Sequence, residues 1–282
     1  IDKKYTHLTT EFFLMSDNLF GICYRYLKSN ISKEDELKIN INSKNFNRIN
    51  DLRNKAIKDG ILTRSKNDKV KGFISFKGNN YPVSLRLKGD WTDHLLGEKW
   101  SFRVETKNKN AFLGMKEFSL QHPRTRNYIN EFIFHEFLKY EKLPYLRYQF
   151  LPVSINGKYL GIYALEEHFG KSLLENSGFR EGPILRVSDQ DKRNEWQRMS
   201  YISKDGNYLD VSQNNSEILT FNSSKFSNDK NKISQLEIGT KLLDRYLKNK
   251  LNTSDVFDIQ MTAKYFAITD LLQALGANSW YD

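Results

Sequence analysis

Two short runs restrict the possible folds of this chain more than any other feature: Ser84-Leu-Arg-Leu-Lys-Gly-Asp90 and Lys99-Trp-Ser-Phe-Arg-Val-Glu105. Apolar and charged residues alternate in both. Residues two apart in a strand share a face, so Arg86 and Lys88 share one. Phe102 and Val104 share another, with Arg103 and Glu105 opposite. Two neighbouring strands of this kind gather Arg86, Lys88, Lys99 and Arg103 in a common region. Cations fixed by rigid strands beside a Gly-Asp turn suit a phosphate-bearing ligand. The same alternation also suits a plain, solvated sheet face.

The alternation extends along the chain. Strands are expected at 72–77, 82–88, 100–105 and 117–121, with a turn at Gly78-Asn79-Asn80, giving an antiparallel meander. A short helix at 45–57 closes at Asp59-Gly60. Ile129, Phe132, Ile133, Phe137 and Tyr140 recur at three- and four-residue intervals, which predicts a helix over 127–142 closed by Pro144. A second hairpin, 147–154 with 159–165, turns at Asn156-Gly157. Residues 166–176 read as helical, 183–187 as a strand and 189–231 as a polar, irregular excursion. Two helices follow, at 233–251 and 256–275. Strands, one helix, a hairpin, then helices argue for an α+β fold rather than alternating βαβ units. We divide the chain into a lead-in with a helix (1–60), a β-rich lobe (61–188) and a polar insertion leading into a helical lobe (189–282).

Composition narrows the function classes. The 282 residues carry a net charge of +10, which favours anionic partners. The cations are dispersed, with no Lys/Arg block of five, so specific nucleic-acid binding is not expected. No run of 18 apolar residues exists, so no transmembrane segment is expected. Cys23, the single cysteine, sits in an apolar setting that suits a buried thiol and excludes a disulfide framework. The five histidines, His7, His94, His122, His135 and His168, lack metal-site spacing. Asp189 and Asp191 read either as a loop or as a carboxylate pair for a metal. Residues 241–250 form a basic helical stretch that is solvated or faces an anionic partner.

Four segments resemble, in order, the CotH family of atypical, spore-coat-type protein kinases. They are Leu87-Lys-Gly-Asp90 with Lys99-Trp-Ser-Phe-Arg103; Phe118-Ser-Leu-Gln121 with Arg126-Asn127; Val153-Ser-Ile-Asn-Gly-Lys-Tyr-Leu-Gly-Ile-Tyr-Ala-Leu-Glu-Glu167; and Lys264-Tyr-Phe-Ala-Ile-Thr-Asp-Leu-Leu272. The third is the most specific. The resemblance covers residues 70–282. It implies a kinase-like two-lobe arrangement, an antiparallel β-rich N-terminal lobe with one long helix and then an incomplete helical C-terminal lobe. It also implies ATP, Mg²⁺ and phosphoryl transfer to Ser/Thr of a protein.

The resemblance makes Lys99 the leading phosphate-binding candidate, with Arg86 and Lys88 beside it. Glu131 either pairs with that lysine or is a solvated helix residue. Glu166 or Glu167 stands where the family keeps a glutamate near the nucleotide, or begins the following helix. Asn278 falls where the family has its catalytic Asp, with Asp282 as a substitute. Asn cannot take a proton as a general base, though it can ligate a metal or hydrogen-bond a hydroxyl. The metal ligands are not readable. The base and the metal carboxylates are expected at or beyond residue 278, or the chain is a degenerate member. The alternative function is therefore a non-catalytic kinase-like scaffold, a pseudokinase, that binds a nucleotide, a polyanion or an envelope partner. An extracytoplasmic or cell-surface location follows from the resemblance alone.

Overall fold

In a computed structural model, the structure describes residues 35–63, 65, 67–89, 92–108, 110–188, 217–221 and 229–272. Among these, the strands are β1 (Leu37–Asn40), β2 (Val70–Phe76), β3 (Asn79–Leu87), β4 (Phe102–Thr106), β5 (Glu117–Gln121), β6 (Tyr148–Ile155), β7 (Lys158–Glu167), β8 (Leu185–Ser188) and β9 (Glu217–Thr220). The helices are α1 (Ser43–Asp59), α2 (Asn130–Tyr140), α3 (Lys171–Asn176), α4 (Lys230–Leu247), α5 (Thr253–Val256) and α6 (Ile259–Leu271). Of the residues before Leu37, only Asp35 and Glu36 are among those described.

The first seven strands close into a barrel in the order β1-β2-β3-β4-β5-β7-β6. Neighbours pair antiparallel except at the seam, where β1 runs parallel to β6. The expected meander is therefore closed by a strand at 37–40 that the Lys/Asn-rich composition of its surroundings conceals. Its alternation is nevertheless strict: Leu37 and Ile39 are buried, Lys38 and Asn40 exposed. Closure leaves no free strand edge in the barrel. The α+β class holds; the β-rich part is a closed barrel rather than one visible lobe of a two-lobed kinase-like pair.

Leu37, Ile39, Ile74, Leu85, Leu87, Phe102, Val104, Phe118, Leu120 and Leu165 meet in one buried cluster inside the barrel. Helix α1 adds Ile49 and Ala56 to it. That helix starts on Asn42, whose side chain accepts the Asn45 N–H at 2.8 Å, and stops at Gly60 in the left-handed conformation. A second cluster joins Phe134 and Leu138 of α2 and Leu143, just past that helix, to Ile268 of α6.

Four local expectations shift. The first hairpin turns at Lys77-Gly78, one residue early, both with positive φ. The second turns at Asn156-Gly157 as expected, again with two positive φ angles that suit the right-handed strand twist. Asn127 and Tyr128 take left-handed φ angles, so α2 cannot start before them and begins at Asn130. Glu166 and Glu167 do not begin a helix. They end β7, paired with Ser119 and Phe118 of β5, and the helix is confined to Lys171–Asn176. Most of the 189–231 excursion lies outside the described residues, but β9 within it pairs antiparallel with β8.

Candidate anion site on the barrel's outer face

Strand register builds a polar row across the barrel. Arg86 of β3 stands opposite Arg103 of β4, Arg103 opposite Ser119 of β5, Ser119 opposite Glu166 of β7, and Glu166 opposite Tyr148 of β6. All share the parity that points away from the apolar interior. The ladder continues one residue past β3, where the Lys88 N–H donates to the Ser101 carbonyl at 2.9 Å. That brings Lys88 onto the same face beside Gln121.

This face is polar yet buried. Lys88 and Glu166 are 8% exposed, and Gln121 and Ser119 are fully buried. The Lys88 ammonium donates to Gln121 Oε1 at 2.8 Å and to the Glu166 carboxylate at 3.2 and 3.3 Å. Gln121 Nε2 donates to Glu166 Oε2. Burial pushes Lys88 down to about 8; Glu166 opposes this, and the Arg103 and Arg126 charges add to it. Burial would raise Glu166, but Lys88, Arg126 and Arg103 outweigh it and hold the carboxyl well below its ordinary range. A buried carboxylate thus stays ionised because several cations surround it.

The flanking imidazoles are neutral. His94 bonds Ser101 Oγ through Nδ1 at 3.0 Å, and burial, with Lys88 and Arg126 close by, takes it down to about 4 against the pull of Asp93. Burial and the Arg103 charge hold His168 far below its usual value as well. Fixed positive charge therefore comes from Lys88 and the arginines, while the histidines supply hydrogen-bonding surface.

The sequence candidates fall into separate places. Lys88 and Glu166 form the buried pair. Arg86 lies on the same row, donates to the Leu87 carbonyl at 3.1 Å, and is near enough to depress His168. Lys99 stands apart, with Nζ 3.4 Å from the Ile162 carbonyl and only 3.2 Å from where a Cβ on Gly161 would lie. Together with Arg124 it depresses His122, after burial. Lys99 and Arg124 are thus a second pair of cations, close to His122. The structure does not bring Glu131 to Lys99; Glu131 Oε1 is 3.5 Å from His135 Nε2, one turn along α2. Glu167 is buried on Arg147, which donates through Nε at 2.9 Å, through Nη2 and through its backbone N–H. Asn278, Asp282, Asp189 and Asp191 lie outside the described residues.

Gln121, Arg126, His94 and Tyr148 belong to this neighbourhood; Gln121 and Arg126 lie in a segment that resembles the family, but the sequence marks none of the four as a site residue. For Gln121 a usable hint existed. Ser119 and Gln121 are polar residues two apart in a strand whose alternate positions, Phe118 and Leu120, are apolar. Among the described residues no three His, Cys, Asp or Glu side chains stand close enough to hold a metal ion, and no helix is long and apolar enough to cross a membrane.

Residues 85–280 match the family model described as CotH kinase protein. The chain belongs to the CotH kinase family. The matched region begins within β3 and takes in every residue of the cation-rich face. No curated protein matches the chain.

Proposed function

We propose that the chain binds ATP on this face and transfers its terminal phosphoryl group to a Ser or Thr hydroxyl of a protein substrate. One observation carries the reading: a buried lysine, Lys88, is held by a buried glutamate, Glu166, with Arg103 and Arg126 close around them. Phosphoryl transfer has little covalent work for the protein to do; positioning and neutralising phosphate charge dominate. Lys88 would meet a phosphate oxygen while Glu166 fixes its direction, with Arg103 and Arg126 adding positive potential. In this reading the barrel stands for the N-terminal lobe of a kinase, and α4, α5 and α6 for the start of a helical lobe. ATP and Mg²⁺ enter through family membership. Mg²⁺ would neutralise phosphate charge, and no described carboxylate is assigned to it. The protein substrate or envelope partner, and an extracytoplasmic or cell-surface location, rest on the same resemblance.

Asn278 favours a second reading, a scaffold that binds nucleotide without transferring phosphate, since an amide cannot serve as the general base. One experiment separates the two. ATP with Mg²⁺ or Mn²⁺ should raise the melting midpoint of the wild type by mass action and leave Lys88→Met unmoved. Transfer of labelled phosphate to protein hydroxyls supports the kinase. A midpoint shift without transfer supports the scaffold. No shift at millimolar nucleotide removes both.

A further inference from the structure

Within the buried pair, the direct contact is not the tightest one. Lys88 Nζ lies 3.2 and 3.3 Å from the two Glu166 oxygens, longer than the roughly 2.7–2.9 Å of a close charge-assisted bond. The contacts through Gln121 are shorter: 2.8 Å from Lys88 to its carbonyl oxygen, and a short bond from its amide nitrogen to Glu166. The orientation of the amide is fixed by its partners. An ammonium only donates and an ionised carboxylate only accepts, so Oε1 must face Lys88 and Nε2 must face Glu166. Gln121 is fully buried and stands opposite Ala164 of β7. A small neighbour there leaves the amide room to reach sideways toward residue 166.

We propose that Gln121 is a positioning residue for this site, an amide bracket that holds Lys88 beside Glu166 without letting the two collapse into a closed ion pair. The proposal rests on the reading of Lys88 as the phosphate-contacting cation. The ammonium has three N–H donors. Gln121 takes one at 2.8 Å, while the Glu166 oxygens are met only at 3.2 and 3.3 Å, contacts long enough for an incoming anion to compete for the remaining donors. Without the bracket, Lys88 swings fully onto Glu166, and its charge is spent inside the protein.

Gln121→Met tests this, because it keeps the length and bulk of the side chain and deletes both hydrogen bonds. Two quantities are measured on the 282-residue chain: the ATP dissociation constant, and the titration of Lys88 followed by NMR of its ε-carbon, assigned by its loss in Lys88→Arg. Arg103, Arg126, Glu166 and His94 surround Lys88 and are unchanged, so the titration reports the bracket. The expected result is a Lys88 midpoint raised by at least half a pH unit, as the lysine closes on Glu166, and ATP binding weakened five-fold or more. A methionine variant with wild-type titration and wild-type binding overturns the proposal. If wild type and Lys88→Met both fail to bind ATP, the nucleotide reading falls, while the NMR titration still decides whether Gln121 sets the state of Lys88. Should Gln121→Met not fold, Gln121→Leu carries the same test. It deletes both hydrogen bonds and adds no charge beside Lys88, so a raised Lys88 midpoint is expected, and wild-type values overturn the bracket.

Discussion

Strands β3, β4, β5 and β7 bury residues on both faces, and the two faces differ completely in what burial costs them. Inward, Leu85, Val104, Phe118 and Leu120 remove only apolar surface from water. That is favourable without any partner and insensitive to direction. Outward, Lys88, Glu166, Gln121 and Ser119 are also withdrawn from solvent. There, the charges must be answered, because an unanswered buried charge is far more expensive than a misplaced methyl group; the neutral Ser119 and Tyr148 hydroxyls are buried without a hydrogen-bond partner among the described residues. The inner face holds the barrel together. The outer face spends stability to keep cations dry, which is where their field is strongest.

The largest difference should come from breaking each face by one residue. Phe118→Ala empties the middle of the apolar cluster and should cost about 3–5 kcal/mol at every pH, read by denaturant unfolding. Glu166→Leu should cost about 3 kcal/mol at pH 7, because it leaves Lys88 buried without its counter-charge. Unlike the first, this loss should shrink as pH rises from 7 to 9. The folded-state Lys88 already lies near 8 and falls further without Glu166. It therefore sheds its proton while the unfolded chain keeps it, and stability rises. The double variant Lys88→Met with Glu166→Leu should recover most of the loss. If Glu166→Leu proves as pH-independent as Phe118→Ala, the distinction between the faces fails.

Acid should act on the outer face next in size. His94 and His168 are held neutral by burial, His94 down to about 4. Below about 6.5 the unfolded chain takes up protons that these folded imidazoles refuse, so stability falls with pH. Each contributes up to about 1.4 kcal/mol per pH unit, for His94 between about 6.5 and 4. Glu166 adds a further loss once pH drops below its unfolded value of about 4.5, since its folded pKa is depressed. Melting midpoints taken from pH 7 to 4.5 should fall steadily, and His94→Gln should flatten the slope by about one proton. An unchanged slope would place the proton uptake elsewhere.

This contrast also sets what could be read from the chain before its structure. The inner face was legible because period-two apolar residues declare themselves. Strands at β2 to β7 and the Asn156-Gly157 turn followed from alternation and positive-φ chemistry. Strand β1 was hidden, because only Leu37 and Ile39 carry the pattern among lysines and asparagines, and its parallel pairing with β6 is a contact over more than a hundred residues that no local signal encodes. Lys88 and Glu166 were both visible as candidates, yet nothing in their separate segments pairs them. The pairing arises from β5 lying between β4 and β7, which places Gln121 at the join. Lys99 stood out because the family motif marks it, whereas the fold puts it against Gly161 and the Ile162 carbonyl. Glu167, next to Glu166, faces the opposite way and serves Arg147, a division that strand parity dictates once β7 is known to run through both.

The smallest expected effect tests the rule from the other side. Tyr163 points into the apolar interior, fully buried, and its hydroxyl has no hydrogen-bond partner among the described residues. Burial raises its proton affinity far above the ordinary tyrosine value, so the group stays neutral and titrates nothing in the accessible range. A buried hydroxyl without a partner costs stability that its ring then has to offset. Tyr163→Phe should therefore be neutral or stabilising by up to about 1 kcal/mol, with no change in pH dependence. At Tyr148, on the outer row opposite Glu166 and close to Gln121, the hydroxyl is likewise buried without a hydrogen-bond partner among the described residues but lies among polar groups, so the same substitution should gain less than at Tyr163. Equal gains at both positions would mean that the outer face is no more demanding of hydrogen-bond partners than the core, and that its buried charges are held by packing alone.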